Sequence, residues 1–352
     1  MKTRIKMTLL AILSIGLSLH AKADIKTKNI TKTYSASSNL KIDTRYSRVE
    51  FKAWEKDEIK FDIEISAESN KAEKAQTMLD NITIDMTEGD DLIIAKTVFG
   101  DFFSLKKLSN SIFNKGKIKV DYTIYLPAST QLDLVLKDSR TYLSNHSGNI
   151  KLDLAYTEFT AENLSGKNNF DLKSNSFLKI GKINQAEVNI AGSEINIEEA
   201  NKISGESRDS EYKLGRIDNL NIKSARDKFD IKDIEALYGS SSLSKFDISH
   251  LGSEVDYDIS FGHLYIFNVD YLFSFVKLDS KFGNLGLSFS DKANFDYEIN
   301  HRAVKFDKTN AFDLESNKTM DGKKAISKGK FGSKKAISKV NIRANNCKLK
   351  LE

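Results

Sequence analysis

Glu162, Arg208, Asp209 and Glu211 are the residues whose types and placement near turns could do chemistry. Carboxylates beside an arginine on one solvent face can cleave a glycosidic bond, one group giving a proton while another receives one or attacks. A chain that is 29% charged produces such neighbours by chance, however, and no sharper signature accompanies them. There is no G-x-S-x-G nucleophile turn, HExxH helix, P-loop, GxGxxG or CxxC. Apart from His20, the histidines are His146, His250, His263 and His301, too widely spaced for a local metal cluster and read as surface or turn residues. Glu88-Gly89-Asp90-Asp91 offers oxygen ligands for calcium but lacks the ligand spacing of a known loop. Cys347 is the single cysteine, so no intrachain disulfide can form, and it is read as an inert strand residue. The expected catalytic, cofactor-binding and metal residues are therefore none, and no cofactor is expected.

Any functional side chain must be positioned by an element that repeats. Ser139, Thr157, Ser176, Ser193, Ser210, Asp227, Ser240, Gly262 and Gly283 each fall where one alternating strand ends and the next begins. Their spacings run from 13 to 22 residues, and a period near 20 marks a solenoid. The recurring inward sets are Leu132/Leu134/Leu136, Ile150/Leu152/Leu154, Phe170/Leu172, Val188/Ile190, Tyr212/Leu214, Phe229/Ile231 and Phe246/Ile248. A second set is Leu178/Ile180, Ile195/Ile197 and Leu220/Ile222. Short strands joined by Gly, Ser, Asn and Asp predict a mainly β chain, a single-stranded β-helix whose coils bury their apolar faces by stacking. A β-sandwich also shows frequent turn signals, but it has no reason to keep successive 17- to 19-residue steps.

The first residues carry an address. Lys2, Arg4 and Lys6 precede an apolar stretch over residues 7–19, and Ala21-Lys22-Ala23 is a small-x-small cleavage site. A signal peptide over 1–23 is expected, with an uncleaved anchor as the alternative. No cysteine follows the site, which argues against the lipoprotein route. No later run has the 18 or more apolar residues of a membrane helix, so no transmembrane segment is expected after cleavage. Removing Lys2, Arg4, Lys6 and Lys22 takes the formal charge from +5 to +1, a balance with no general drive toward nucleic acid.

Residues 24–127 read as a small β-rich module with one helix. Leu40-Lys41-Ile42, Val49-Glu50-Phe51 and residues 59–65 alternate as antiparallel strands, with Trp54 at the core edge. Ala72, Ala75, Met78, Leu79 and Ile82 repeat at helical spacing behind Asn70 as N-cap, and Gly89-Asp90 turns between the next strands. In residues 99–116, Phe102, Leu105, Leu108, Ile112 and Phe113 form a stripe near Lys106, Lys107 and Lys115. That stripe fits peripheral contact with a membrane or partner, or an insertion packing its apolar side on its own sheet. Residues 117–126 form a strand ending at Pro127, the only proline. Residues 128–301 hold the repeats. Within them, residues 264–278 are apolar on both parities, as expected of a strand buried on both faces beneath the C-terminal segment. Residues 302–352 form a basic C-terminal β segment, with 14 Lys/Arg against 5 Asp/Glu. There Lys323-Lys324-Ala325-Ile326-Ser327-Lys328 recurs as Lys334-Lys335-Ala336-Ile337-Ser338-Lys339, suggesting a hairpin or two stacked strands. Val340-Asn341-Ile342 and Leu349-Lys350-Leu351 are expected as cap strands.

This organisation resembles a family of bacterial exported proteins of unknown function, described as putative adhesins with β-strand repeats and frequent in Bacteroidetes. The likeness covers roughly residues 33–351. It lies in Leu40-Lys41-Ile42-Asp43-Thr44-Arg45-Tyr46-Ser47-Arg48-Val49-Glu50-Phe51, in the helix that follows, and in Tyr122-Thr123-Ile124-Tyr125-Leu126-Pro127. Tyr238-Gly239-Ser240, Phe261-Gly262 and Phe282-Gly283 keep the family's aromatic turn, whereas Asp138-Ser139, Asn175-Ser176 and Asp209-Ser210 depart from it. The resemblance implies a β-helical envelope protein and supplies no catalytic residues.

The expected function is therefore non-enzymatic: adhesin-like binding or scaffolding by an exported protein of the periplasm, outer-membrane surface or extracellular space. A glycan or an envelope surface component is the expected partner. The alternatives are a β-helix polysaccharide lyase or hydrolase, and an envelope sensing or stress accessory protein.

Overall fold

Alternation of apolar and polar residues sets the strands, and their pairing sets the architecture. The computed structural model describes residues 23–36, 39–103, 116–321 and 324–352 of the chain. The described part is mainly β, with one α-helix, and its strands join in a single hydrogen-bonded network. The expected signal peptide, up to residue 22, and residues 104–115 of the expected amphipathic stripe lie outside the described residues.

The N-terminal part comprises β1 (Asp24–Ser35), β2 (Asn39–Arg45), β3 (Ser47–Ala53), β4 (Glu58–Ser69), α1 (Ala72–Asp80), β5 (Ile82–Glu88), β6 (Leu92–Phe99) and β7 (Gly116–Leu126). Only part of it is antiparallel. β1–β4–β7 and β5–β6 pair that way, but β2 and β3 lie parallel to β6 and β7 on one side and to β8 (Gln131–Lys137) and β9 (Arg140–His146) on the other. Helix α1 buries Ala75, Met78 and Leu79. Its N-cap is Lys71, which makes no side-chain cap, so Asn70 does not play that part. Trp54 stacks obliquely on Tyr125 and donates its indole N–H to the Glu58 carbonyl at 2.8 Å.

From β8 onward the chain builds parallel rungs: β10 (Ile150–Ala155), β11 (Glu158–Lys173), β12 (Phe177–Ala191), β13 (Glu194–Arg208), β14 (Glu211–Ala225), β15 (Lys228–Ser242) and β16 (Lys245–Ser260). The first half of each long strand pairs with first halves and the second with second halves, so two parallel ladders share one interior. Leu178, Ile195, Tyr212, Phe229 and Phe246 are consecutive partners in the first ladder, each 17 residues from the last. The buried parity expected from alternation holds throughout. The assignment to ladders does not: Tyr212/Leu214 stack on Ile195/Ile197, not on Val188/Ile190. The interior side chains of one ladder look like those of the other, so apolar identity alone cannot sort them.

One turn moves. Ser240, expected to close a strand, lies inside β15, and the turn falls at Leu243-Ser244. Gly239 faces Ile222 in mid-strand, where an added Cβ would sit 2.2 Å from the Ile222 carbonyl oxygen. With Ser244 in place of Ser240, the irregular 13- and 22-residue steps become 17 and 18.

The C-terminal part contains β17 (His263–Val269), β18 (Phe275–Lys281), β19 (Asn284–Phe289), β20 (Phe295–Arg302), β21 (Lys305–Lys308), β22 (Phe312–Asp321), β23 (Lys324–Phe331), β24 (Ser338–Asn345) and β25 (Lys348–Leu351). The stretch 264–278 is two strands separated by a turn at residues 270–274. That turn resets the parity, leaving Leu264, Ile266, Val269, Phe273, Val276 and Leu278 buried while Phe267, Tyr271 and Leu272 are exposed. The duplicated lysine-rich segments do not form a hairpin, because β20 lies between β23 and β24. Nor do the last strands cap the stack. β24 inserts between β18 and β20, and β25 between β19 and β21, so earlier residues form the outer rung. A cluster of Phe289, Phe295, Phe312 and Phe331 fills that end, with ring centroids 4.6–6.0 Å apart.

Candidate functional site: the turn ridge

Turns between successive rungs each hold a residue in the left-handed region, at the same point of the backbone frame. Along the stack these are Tyr46, Asp138, Tyr156, Asn175, Gly192, Asp209, Arg226, Leu243, Phe261, Phe282, Asn346 and Ala303, with φ between 47° and 61°. Their N–H groups donate to the next coil, Asp209 to the Ala225 carbonyl at 3.0 Å, Arg226 to Ser242 at 2.9 Å and Leu243 to Ser260 at 2.8 Å. The side chains therefore line up as a ridge.

From Ser47 to Ser244 the residue after each ridge position is buried, and it explains the small polar types seen in the sequence. The backbone N–H of Ser139 donates to Thr157 Oγ1 at 3.3 Å, Ser193 to Ser210 Oγ at 3.2 Å and Asp227 to Ser244 Oγ at 3.1 Å. A column of side-chain oxygens thus satisfies N–H groups that the turn removes from both ladders.

Asp227 is the exception in this column, being 2% exposed yet a carboxylate. Its oxygens accept from the Ser210 N–H at 2.8 Å, the Ser224 hydroxyl at 2.7 Å and the Ala225 N–H at 3.2 Å. Desolvation outweighs these bonds and holds its carboxyl above the ordinary aspartate value. A carboxyl whose folded pKa is raised supports the fold below its unfolded pKa and loses that support as pH rises through the folded value. Asp227→Ser, which restores the column's usual hydroxyl, is therefore expected to gain stability relative to the parent as pH rises from 3 to 7. Melting temperatures of both proteins across that range check this. A difference independent of pH would exclude a strained carboxylate.

The ridge is flanked by two open grooves. One of about 710 Å³ is lined by Glu194, Asp209, Glu211, Arg226, Lys228 and Lys245, and another of about 740 Å³ by Tyr46, Arg48, Asp138, Arg140, Tyr156 and Glu158. Charges in them pair between coils: Arg140–Glu158 at 2.7 Å, Lys213–Glu194 at 2.9 Å and Lys228–Glu211 at 2.9 Å. Asp209 is a ridge residue gripped by both Nε and Nη2 of Arg226, at 2.6 and 2.7 Å. These cations hold the Asp209 and Glu211 carboxyls below their usual values, the reverse of what a proton donor needs. Arg208 ends β13 beside them. Glu162 accepts the Tyr142 hydroxyl elsewhere, on β11. Three rungs separate Glu162 from Glu211, roughly 14 Å of stack at ~4.8 Å each. An inverting carboxyl pair stands at about 6.5–9.5 Å and a retaining pair closer. The structure therefore brings Asp209 and Glu211 to one groove and leaves Glu162 outside it.

The histidines occupy separate coils. His146 is buried, bonded through Nε2 to the Thr130 carbonyl at 2.7 Å, and burial lowers its pKa. His250 meets Asp233 at 2.8 Å, His263 meets Asp247 at 3.2 Å, and His301 meets the Ser327 hydroxyl at 3.3 Å. Cys347 sits in the buried turn column, where burial pushes its thiol pKa up. Among the described residues no three His, Cys, Asp or Glu side chains converge as a metal site, and Glu88-Gly89-Asp90-Asp91 is the turn between β5 and β6. No helix of the described residues is long and apolar enough to cross a membrane. Of the amphipathic stripe only Phe102 is among the described residues; it packs edge to face on Phe103 at 5.2 Å, and Phe103 lies the same way 5.4 Å from Phe99.

Sequence reasoning missed the ridge itself. It named Asp138, Asn175, Asp209, Phe261 and Phe282 only as first members of turn dipeptides and did not foresee that they line up as one displayed column. A signal existed in the constant offset between that column and the small turn residues, but Tyr, Arg, Leu and Phe are not turn formers, so they did not announce left-handed positions.

No family model and no curated protein matches this chain. Solved structures do. A putative cell adhesion protein from Clostridium sporogenes is 12% identical, with 93% of this chain and 99% of that one covered, at a TM-score of 0.21. A putative adhesin from Parabacteroides merdae is 13% identical over 75% of this chain and 95% of that one, at 0.37. A putative lipid binding protein from Parabacteroides distasonis is 10% identical over 75% of this chain and 94% of that one, at 0.27.

Proposed function

We propose that this chain is an exported, non-enzymatic cell-envelope protein that binds or scaffolds, adhesin-like, through the surface of a β-solenoid. The observation that carries the reading is the ridge. One exposed position per coil, on a constant backbone frame, bears side chains as different as Asp209, Arg226, Leu243 and Phe261. At ~4.8 Å per rung it runs roughly 50 Å. Such a frame holds a long recognition surface rigidly while leaving its chemistry free to vary. The two open grooves beside it suit an extended ligand better than a small molecule. In this reading residues 1–23 are the signal peptide, 24–127 the N-terminal module, 128–301 the solenoid body and 302–352 its basic C-terminal segment, and the protein works in the periplasm or at the cell surface.

Retention of the purified protein on immobilised envelope polysaccharides, assayed together with release of reducing or unsaturated ends, tests this. Retention without cleavage is expected. Each ridge or groove substitution should weaken it by a few-fold, because affinity is spread over several coils. Cleavage abolished by a single change among Glu162, Asp209 and Glu211, with folding intact, would establish the β-helix enzyme instead.

A further inference from the structure

The ridge changes character along its length. Leu243, Phe261 and Phe282 occupy three successive rungs, with Phe261 N–H bonded to the Lys281 carbonyl at 3.0 Å and Phe282 N–H to Asn345 at 2.9 Å. They are 52%, 57% and 55% exposed, and all three are left-handed. Large side chains in that conformation are outliers, and Asn or Asp does the same duty at Asn175, Asp209 and Asn346 with less strain. Burial within the fold does not offset the strain here, because the side chains point to solvent. Arg226 on the neighbouring rung is held by Asp209, and Tyr46 packs on Phe99 at 5.8 Å. The apolar trio ends in water.

Its surroundings are cationic. Lys245 follows Leu243 by two residues and Lys281 precedes Phe282, while Arg302, Lys305 and Lys348 flank the next two rungs. All five are exposed, and among the described residues none forms an ion pair. On the earlier rungs the ridge cation Arg226 and Lys228, the register partner of Lys245, are neutralised by Asp209 and Glu211. The nearest acids stand one alternation away along the strands: Asp258 and Asp279 on one side, Asp247, which meets His263 at 3.2 Å, beyond Lys245, and Asp307 beyond Lys305.

We propose that this end of the ridge docks on an anionic lipid surface, with Leu243, Phe261 and Phe282 entering the acyl boundary and the five cations meeting phosphate headgroups. Charge complementarity selects the anion, and ring geometry selects lipid over sugar. Phe261 and Phe282 lie face to face at 5.0 Å and 6°. Each covers one face of the other, which leaves a smaller platform for a pyranose ring than two separate rings would. Phenylalanine and leucine also lack the polar tip that a hydrated glycan would engage. A narrow apolar comb rimmed with lysine is the arrangement by which a peripheral protein holds an anionic bilayer.

The proposal deepens the display reading and rests on it for the ridge being a binding surface. Co-sedimentation with vesicles of phosphatidylglycerol and phosphatidylethanolamine, against vesicles of phosphatidylcholine, tests it. The triple variant Leu243→Asn, Phe261→Asn, Phe282→Asn keeps the backbone conformation, since Asn already occupies this column at Asn175 and Asn346. It is expected to lose vesicle binding at least tenfold. Lys245→Gln, Lys281→Gln, Lys348→Gln changes only exposed side chains and should lose roughly a hundredfold on the anionic vesicles, with a steep fall in parent binding as salt rises. Equal binding to both vesicle types, or an unchanged response from either variant, would overturn the proposal. Full competition by a soluble polyuronate would assign the surface to an acidic glycan instead. Failure on vesicles with polysaccharide retention intact would remove the lipid partner and leave the display reading standing.

Discussion

Ile190→Asp is expected to cost several kcal/mol, while Asn189→Asp, one residue away, should stay within about 0.5 kcal/mol of the parent. Ile190 is buried on β12, and its register partners are Leu172 on one side and Ser207 on the other. A carboxylate there has no cation within the stack. It must stay buried and protonated, or force the two ladders apart to reach water. Asn189 faces outward, so its replacement adds only a solvated charge. Rungs contact only their neighbours, so the damage should begin in the coils around β12 and spread from there. Urea unfolding of the two variants decides the matter. Coincident midpoints would mean that the strand register is wrong.

The second large effect is expected at Phe229. Its ring lies between Tyr212 at 4.3 Å and Phe246 at 4.2 Å, with interplanar angles of 14° and 8°. All three are fully buried at equivalent points of successive rungs. Phe229→Ala removes a ring from the middle of that pile and leaves a cavity bounded by two rigid faces that cannot collapse along the stack. The expected loss is about 3–5 kcal/mol, part of it the ring–ring contact itself, about 0.5–1.5 kcal/mol per pair. Phe229→Leu fills most of the volume and should cost markedly less. If the two substitutions cost the same in urea unfolding, the stack contributes little beyond area burial.

Much of the core was legible because a strand has a period of two and alternation needs no partner to be read. Leu134, Leu152, Phe170, Ile190 and Ile231 are all buried as their parity requires. The turn position was legible where a small residue or a glycine marked it, as at Ser193, Ser210 and Gly262, and failed where Gly239-Ser240 imitated it in mid-strand. Leu243 hid the true turn because its conformation is imposed by the rungs on either side. The reading of residues 264–278 failed for the same kind of reason, since a turn at residues 270–274 that itself carries Tyr271, Leu272 and Phe273 resets the parity of a run that looks continuous.

The candidate site was less legible than the core. Asp209 and Glu211 were noticed as charges near turns, but their partners Arg226 and Lys228 lie 17 residues on and become neighbours only when coils stack. The buried column from Ser139 to Asp227 was visible as a set of turn residues, yet its continuation at Ser244 and its hydrogen bonding from rung to rung were not. The Phe261–Phe282 pair, 21 residues apart, required the rungs to be adjacent before two aromatic turns became one apolar surface.

By itself the sequence determined which residues face inward, where most turns fall, and that the repeat is 17 to 19 residues long over most of its steps, because each of these is a local consequence of side-chain alternation and turn chemistry. The tertiary structure decided which strands are neighbours. That choice depends on how interior side chains of similar size and polarity fit together across rungs. It fixes the sorting of the two ladders, the insertion of β24 and β25 inside the stack, and the alignment of left-handed residues into a ridge.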